Sequence, residues 1–144
     1  MLRTADIVEA LGGRKVLKRQ ISNLNELRQT VVAGLPYASL EAVMVKFGFA
    51  RGEAASALHL PQRTFARRKK ECKLSAGESD RLLRLARLGA QAAYVLGSQE
   101  KAARWLRRPN RALGNEVPLV LLESEIGARQ VEEVLGRIEY GVYS

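Results

Sequence analysis

"RGEAASALHLPQRTFARRKKEC", residues 51–72, holds two short helical patterns separated by the break His59-Leu60-Pro61. Pro61 stands where a helix can begin, because its fixed φ suits the first turn and its missing N–H would have no partner there. Two short helices joined by a tight break, the second densely basic, form the pattern of a helix-turn-helix. With Phe65 turned toward a core and each residue stepped by about 100°, Arg63, Arg67 and Lys70 fall on the opposite side, flanked by Thr64 and Ala66. Those three are the candidates to enter a major groove, where the planar fork of an arginine matches a guanine edge. Gln62, Arg68, Lys69 and Lys73 lie nearer the core-facing edge, where a docked helix meets phosphates and sets affinity more than sequence.

A basic run is often only a solvated helical face, so its surroundings decide. The chain has 144 residues and a formal charge of +9. Residues 1–74 hold 14 Lys and Arg against 6 Asp and Glu, whereas residues 75–144 hold 10 against 9, so the positive excess surrounds the basic helix. A polyanion belongs on that half. Duplex DNA fits better than single-stranded RNA, which asks for exposed aromatic rings to stack on; Tyr37, Phe47, Phe49 and Phe65 lie mostly at core spacing.

Composition narrows the remaining classes. With 47% hydrophobic and 27% charged residues the chain reads as folded and soluble, and no apolar run is long enough to cross a bilayer. The start lacks a secretory pattern, so a cytoplasmic location is expected. A single cysteine, Cys72, and a single histidine, His59, give neither a disulfide nor a Cys/His metal cluster, and no cofactor is called for. Cys72 falls close to the Phe65 side and reads as a small buried hydrophobe. His59 reads as a turn residue or a contact to a backbone phosphate, with no partner for catalysis. Glu78 and Asp80 stand at a helix start, where carboxylates favour the positive end of the helix dipole, and no nucleophile stands with a base. A binding module is expected, not an enzyme.

Along the chain the apolar period is near 3.6, which predicts an all-α fold. Ile7, Val8 and Leu11 line a first helix that stops at Gly12-Gly13; residues 13–21, "GRKVLKRQI", read as a short strand or a loop. Asn23 and Glu26 have capping-box spacing before a helix carrying Leu24, Leu27 and Val31. Ser39 caps a helix with Leu40, Val43, Met44 and Phe47 on one face, ended by Gly48. Ser75 and Glu78 open a long helix with Leu82, Ala86, Gly89, Ala93 and Leu96 in one row. On its side Arg81, Arg84 and Arg87 make a stripe, most simply a solvated face, with DNA backbone or an acidic partner as the alternatives. Gly97 stops that helix, Ser98 caps the next, and Arg108-Pro109-Asn110 ends it. A turn and one or two helical turns fill residues 112–125. Ser124 opens a last helix with Val131, Val134, Leu135 and Ile138 buried, closed by Gly141. The organisation expected is an N-terminal helical segment, 1–36, suited to dimerisation; a helix-turn-helix, 37–74; and a small helical domain with a tail, 75–144. One reading helix buries a modest area, which implies a second copy on operator DNA.

The last eight residues, "RIEYGVYS", are odd for an ending, since an aromatic terminus needs a surface to lie on. They complete a set of motifs: "LSAGESDRLLRLARL" from residue 74, "WLRRPNRALG" from 105, "PLVLLESEIG" from 118 and "GRIEYGVYS" from 136. In these, residues 75–144 closely resemble the toxin-binding domain of Xre/MbcA/ParS-type antitoxins, and the preceding helix-turn-helix resembles the Xre-like region of the same family. One departure is "LGNEVP", where Asn115 stands at a place often taken by a second glycine; asparagine tolerates left-handed dihedrals.

The resemblance implies a partner, a RES-domain toxin that consumes NAD or uses it to ADP-ribosylate a target. It also implies that the pair represses its own operon. The implied toxin-binding residues are Trp105, Asn110 and Leu113, then Glu125, Arg129, Glu132, Glu133 and Arg137 on the last helix, then Tyr140, Gly141, Val142, Tyr143 and Ser144. The tail would reach into or across the NAD cleft, with Gly141 letting the chain turn, the Tyr143 ring packing, and the Ser144 carboxylate facing groups that otherwise hold pyrophosphate. Higher hetero-oligomers with the toxin are implied as well. By its spacing Trp105 favours a core position, while the family's motif leaves core and interface both open. A stand-alone repressor whose C-terminal half binds itself is the alternative, and an RNA-binding accessory protein a third.

Overall fold

The computed structural model describes residues 2–141. Among them the chain is all-α, as the periodicity predicts, with no strand. In order come α1 (Thr4–Ala10), α2 (Gly13–Leu17), α3 (Leu24–Ala33), α4 (Tyr37–Phe47), α5 (Arg51–Leu58), α6 (Phe65–Glu71), α7 (Ala76–Leu96), α8 (Gln99–Arg107), α9 (Pro118–Leu121) and α10 (Glu125–Glu139). Short 3-10 turns occupy Gln62–Thr64 and Arg111–Leu113.

The fold is wound around α7. The expected row is buried in part, Leu82, Ala86 and Gly89 fully and Ala93 and Leu96 partly, but Glu78, Ser79, Leu85, Leu88, Ala90 and Ala92 are buried too. Helices α1, α3, α4, α5, α8 and α10 all pack against it, and one continuous apolar cluster runs from Ile7 to Leu135. Close approach is possible because Gly89 has no side chain: a Cβ there would come within 2.8 Å of the Phe47 ring of α4, which is itself buried.

Local rules set most boundaries. The Ser75 hydroxyl accepts from the Glu78 N–H while the Glu78 carboxylate accepts from the Ser75 N–H at 2.9 Å, the reciprocal cap expected. Ser98 and Ser124 accept from the N–H groups of Lys101 and Gly127. Gly48, Gly97 and Gly141 have positive φ at or just past helix ends, as expected of them.

Five expectations are corrected. Residues 13–17 form the short helix α2, neither strand nor loop. Asn23 does cap α3, but Glu26 reaches past it to the Ser22 N–H, and Leu24 is 66% exposed at the first turn, outside the buried stripe of Leu27 and Val31. Ser39 is no cap: Pro36 stands at that position, α4 begins three residues earlier than expected, and Ser39 is buried inside it. Cys72 is exposed, because α6 ends at Glu71 and Cys72 turns to φ 61, which breaks the angular step that would have carried it inward. The stripe of Arg81, Arg84 and Arg87 is no solvated face. Arg81 donates to the Leu58 carbonyl at 3.3 Å, Arg84 to the Leu122 carbonyl and the Glu125 carboxylate, and Arg87 to Glu132.

The links before α4 and before α7 are laced together. Tyr37 N–H donates to the Cys72 carbonyl, Leu74 N–H to the Leu35 carbonyl at 2.9 Å, and Leu35 N–H to the buried Ser79 hydroxyl at 2.7 Å. Next to them Arg68 of α6 holds Glu78 of α7 through two parallel bonds, Nε to Oε1 at 2.8 Å and a terminal nitrogen to Oε2 at 2.9 Å. Burial pushes the Glu78 carboxyl up, but Arg68 and the Ser75 N–H more than reverse this and hold it below the usual carboxylate range. A carboxyl lowered in the folded state adds stability above its unfolded value, and that stability is lost as pH falls through the folded value. Glu78→Gln is therefore expected to cost about 1–3 kcal/mol near neutral pH. The difference from the parent chain should fade below the ordinary value of 4.5. Urea unfolding across that range measures it, and a constant difference at every pH would contradict the pairing.

Candidate functional site

Two surfaces carry most of the residues the sequence singles out. The first is formed by α5, the break after it and α6. His59 takes a left-handed φ of 52 at the end of α5, which turns the chain sharply, and Pro61 leads into the 3-10 turn Gln62–Thr64. Phe65 then enters the core and fixes the rotation of α6. Gln62, Arg63, Arg67, Lys69 and Lys70 are exposed, Thr64 is half-buried, and Lys73 is exposed just past the helix. Among the described residues the side chains of Arg63, Arg67, Lys69 and Lys70 have no carboxylate partner, so their charge faces outward. Arg68 differs. Its guanidinium is taken by Glu78 and by Glu71 at 3.1 Å, which makes it the residue that docks α6 onto α7.

Two residues that the sequence pattern does not single out support this surface. Arg51, in the first turn of α5, places its guanidinium 5.3 Å from the centre of the Phe65 ring. Glu53 accepts the Ala50 N–H at 2.7 Å and is gripped from α8 by Arg107, Nε to Oε2 at 3.0 Å and a terminal nitrogen to Oε1 at 2.9 Å. The Arg107 pairing, foremost, holds the Glu53 carboxyl below its usual range. Arg107 also donates to the Gly48 carbonyl and lies 5.7 Å from the centre of the Phe49 ring. The acidic position in the first turn of α5 was the available signal; its partner lies 54 residues away in sequence.

The second surface lies along α7 and α10. A groove of about 590 Å³ there is lined by Arg87, Gln91 and Tyr94 from α7, by Arg129, Glu132, Glu133 and Glu139 from α10, and by Tyr140. Four of the expected partner-binding residues thus come together: Arg129, Glu132, Glu133 and Tyr140. Glu125, at the start of α10, is 3.3 Å from Arg84 and exposed, and Ile126 beside it is 75% exposed. Arg137 is half-buried. Tyr140, 76% exposed, and Gly141, at φ 71, follow the helix. Val142, Tyr143 and Ser144 lie outside the described residues.

Three expected partner contacts sit elsewhere. Leu113 is buried. Asn110 shapes its loop: its side-chain oxygen accepts the Ala112 N–H, and its backbone pairs with Glu116 across Gly114 and Asn115, both at positive φ. Asn115 thus takes the left-handed conformation that its place in the motif requires. Trp105 packs half-buried against the core and also lines a separate cleft with Asn110.

Among the described residues no helix is long and apolar enough to cross a membrane, and no cluster of His, Cys, Asp and Glu could hold a metal ion. Residues 26–87 match the family model described as the antitoxin Xre-like helix-turn-helix domain. Residues 91–141 match that of the antitoxin Xre/MbcA/ParS C-terminal toxin-binding domain. A curated protein named Antitoxin Xre from Photorhabdus laumondii is 34% identical over 113 residues, covering 77% of this chain and 76% of that one. A second of that name, from Yersinia enterocolitica, is 29% identical over 82% of this chain and 81% of its own. A third, from Pseudomonas putida, is 39% identical over 57% of this chain and 52% of its own. An all-α chain with a basic helix-turn-helix, followed by the toxin-binding motif over the right residues, belongs to the Xre antitoxin family.

Proposed function

We propose that this antitoxin binds operator DNA through α6 and blocks the NAD site of a RES-domain toxin with α10 and the residues that follow it, repressing its own operon as the pair. The observation that carries the toxin half is the meeting of Arg129, Glu132, Glu133 and Tyr140 in one groove next to the point where the chain leaves α10. The helix docks, and Gly141-Val142-Tyr143-Ser144 extends over the nucleotide cleft. Gly141 turns the chain without a Cβ penalty, and Tyr143 gives an apolar ring with a polar tip. Occlusion of this kind asks no chemistry of the antitoxin itself.

The unpaired cations of α6 support the DNA half. Arg63, Arg67 and Lys70 read bases or fix register, and Gln62, Thr64, Lys69 and Lys73 approach the phosphates. Arg68 is left out of this set because its guanidinium is already taken. Two copies acting together supply the grip that one short helix lacks, and the exposed Leu24 and Val32 of α3 offer apolar area for that pairing in the N-terminal segment. The same pairing lets the complex with toxin grow into higher hetero-oligomers.

Removing residues 140–144 is expected to leave DNA binding intact and to release the toxin in an NAD-consumption assay; full inhibition by the shortened chain would rule out the plug. Changing Arg63 and Arg67 to alanine should reduce discrimination between operator and unrelated duplex about tenfold or more. Titration against both duplexes measures that, and an equal loss on each would make the two arginines phosphate contacts only.

A further inference from the structure

The cleft between the end of α7 and α8 has no part in the function proposed above. It holds about 300 Å³, and Leu96, Lys101, Arg104, Trp105, Arg108 and Pro109 are among its lining. Lys101, Arg104 and Arg108 are exposed, and among the described residues their side chains make no hydrogen bond or ion pair. Their neighbours behave differently: Arg84, Arg87 and Arg107 each hold a carboxylate. Three like charges at helical spacings of three and four repel one another when nothing lies between them. No acidic residue occurs from Lys101 to Asn115 to relieve this.

The position of the cluster bears on what it binds. Arg107, on the same helix, grips Glu53 and the Gly48 carbonyl and so fixes α8 to the first turn of α5. Arg51 in that turn lies over Phe65 at the start of α6. A chain of direct contacts therefore runs from α6 through the start of α5 to α8, and the first helix of a docked helix-turn-helix crosses the phosphate backbone. The free cations of α8 stand on the helix that is joined in this way to α5 and α6. An acidic protein surface would satisfy the same charges, and α8 lies within the residues that match the toxin-binding domain; the tie of α8 to the first turn of α5 favours duplex, which continues past α6.

We infer that Lys101, Arg104 and Arg108 form a second duplex-binding surface, which holds backbone phosphates next to the segment faced by α6. The inference rests on the proposed DNA-binding role of α6. For every phosphate that a protein no longer neutralises, the plot of log affinity against log salt becomes shallower by about 0.9. With the full chain and labelled duplexes of one and of three helical turns, the K101A/R104A/R108A variant is expected to show a slope shallower by about 2–3 on the longer duplex. On the shorter one, which ends before the cleft, its slope should match the parent's.

An unchanged slope on the longer duplex overturns the inference and leaves α6 untouched. A decrease no larger, per charge removed, than that of R129A/R137A on the α10 side would be bulk charge and overturns it as well. A weaker grip on toxin at unchanged slope would give the cleft to an acidic protein surface instead. If the parent chain binds neither duplex, the α6 reading fails, and this inference with it.

Discussion

The packing of six other helices against α7 is the constraint from which the rest of this structure follows. A helix with one apolar stripe can rotate or slide against its neighbours at modest cost, but one enclosed by six others has a single position. Its small residues make this possible: Gly89 lets the Phe47 ring lie where any side chain would collide, and Ala86, Ala90 and Ala92 admit close backbones. Close packing then transmits position, because a core at crystal-like density yields little to strain. Helices α6 and α10 are both held by this one element.

The charged residues finish what packing begins. Arg68 with Glu78 ties α6 to the start of α7, Arg81 bonds the end of α5, and Arg84 and Arg87 tie α10 to its middle. Arg107 adds a tie from α8 to the first turn of α5. Exposed pairs contribute little, and Glu125 and Glu132 are exposed partners that fix direction more than stability. The Arg68–Glu78 pair is different in kind, since both groups are largely shielded and each oxygen of Glu78 has a donor. Removing Arg68 would leave a largely shielded Glu78 carboxylate with only the Ser75 N–H for compensation.

Much of this was legible in the sequence, and what was not has a common cause. Caps and stops are local rules, so Ser75 with Glu78, Ser98, Ser124, Gly48 and Gly97 lie where spacing puts them. The all-α class and the helix-turn-helix followed from periodicity and breaks, whereas the C-terminal domain was legible only through its resemblance to a known family. The failures are tertiary. Nothing in "ARRKKEC" announces that α6 stops at Glu71 and turns Cys72 outward, and a helical wheel cannot see the end of a helix. The arginine stripe of α7 read as solvated because its partners, Leu122, Glu125 and Glu132, lie about forty residues on. The same distance hid the pairing of Arg107 with Glu53. Of the candidate site residues on α6 and α10, Arg67, Lys69, Lys70, Glu125, Arg129, Glu132 and Glu133 are exposed, whereas Arg68 is taken by Glu78 and Arg137 is half-buried. Leu113 and Asn110 serve the fold of their own loop, a role that a motif shared across a family does not separate from contact with a partner.

Joining both faces to one core has a functional consequence. A protein that bends between its DNA-binding and toxin-binding parts could engage each independently, whereas a rigid one presents them in fixed relation, so that the geometry of one contact limits the other. The most direct measurement of this rigidity is native-state hydrogen exchange over increasing denaturant. The account predicts that core amides of α4, α7 and α10 open with one common free energy and merge with the global unfolding transition. Exchange of α10 at a distinctly lower free energy, with α4 and α7 still protected, would show two separable units and contradict it.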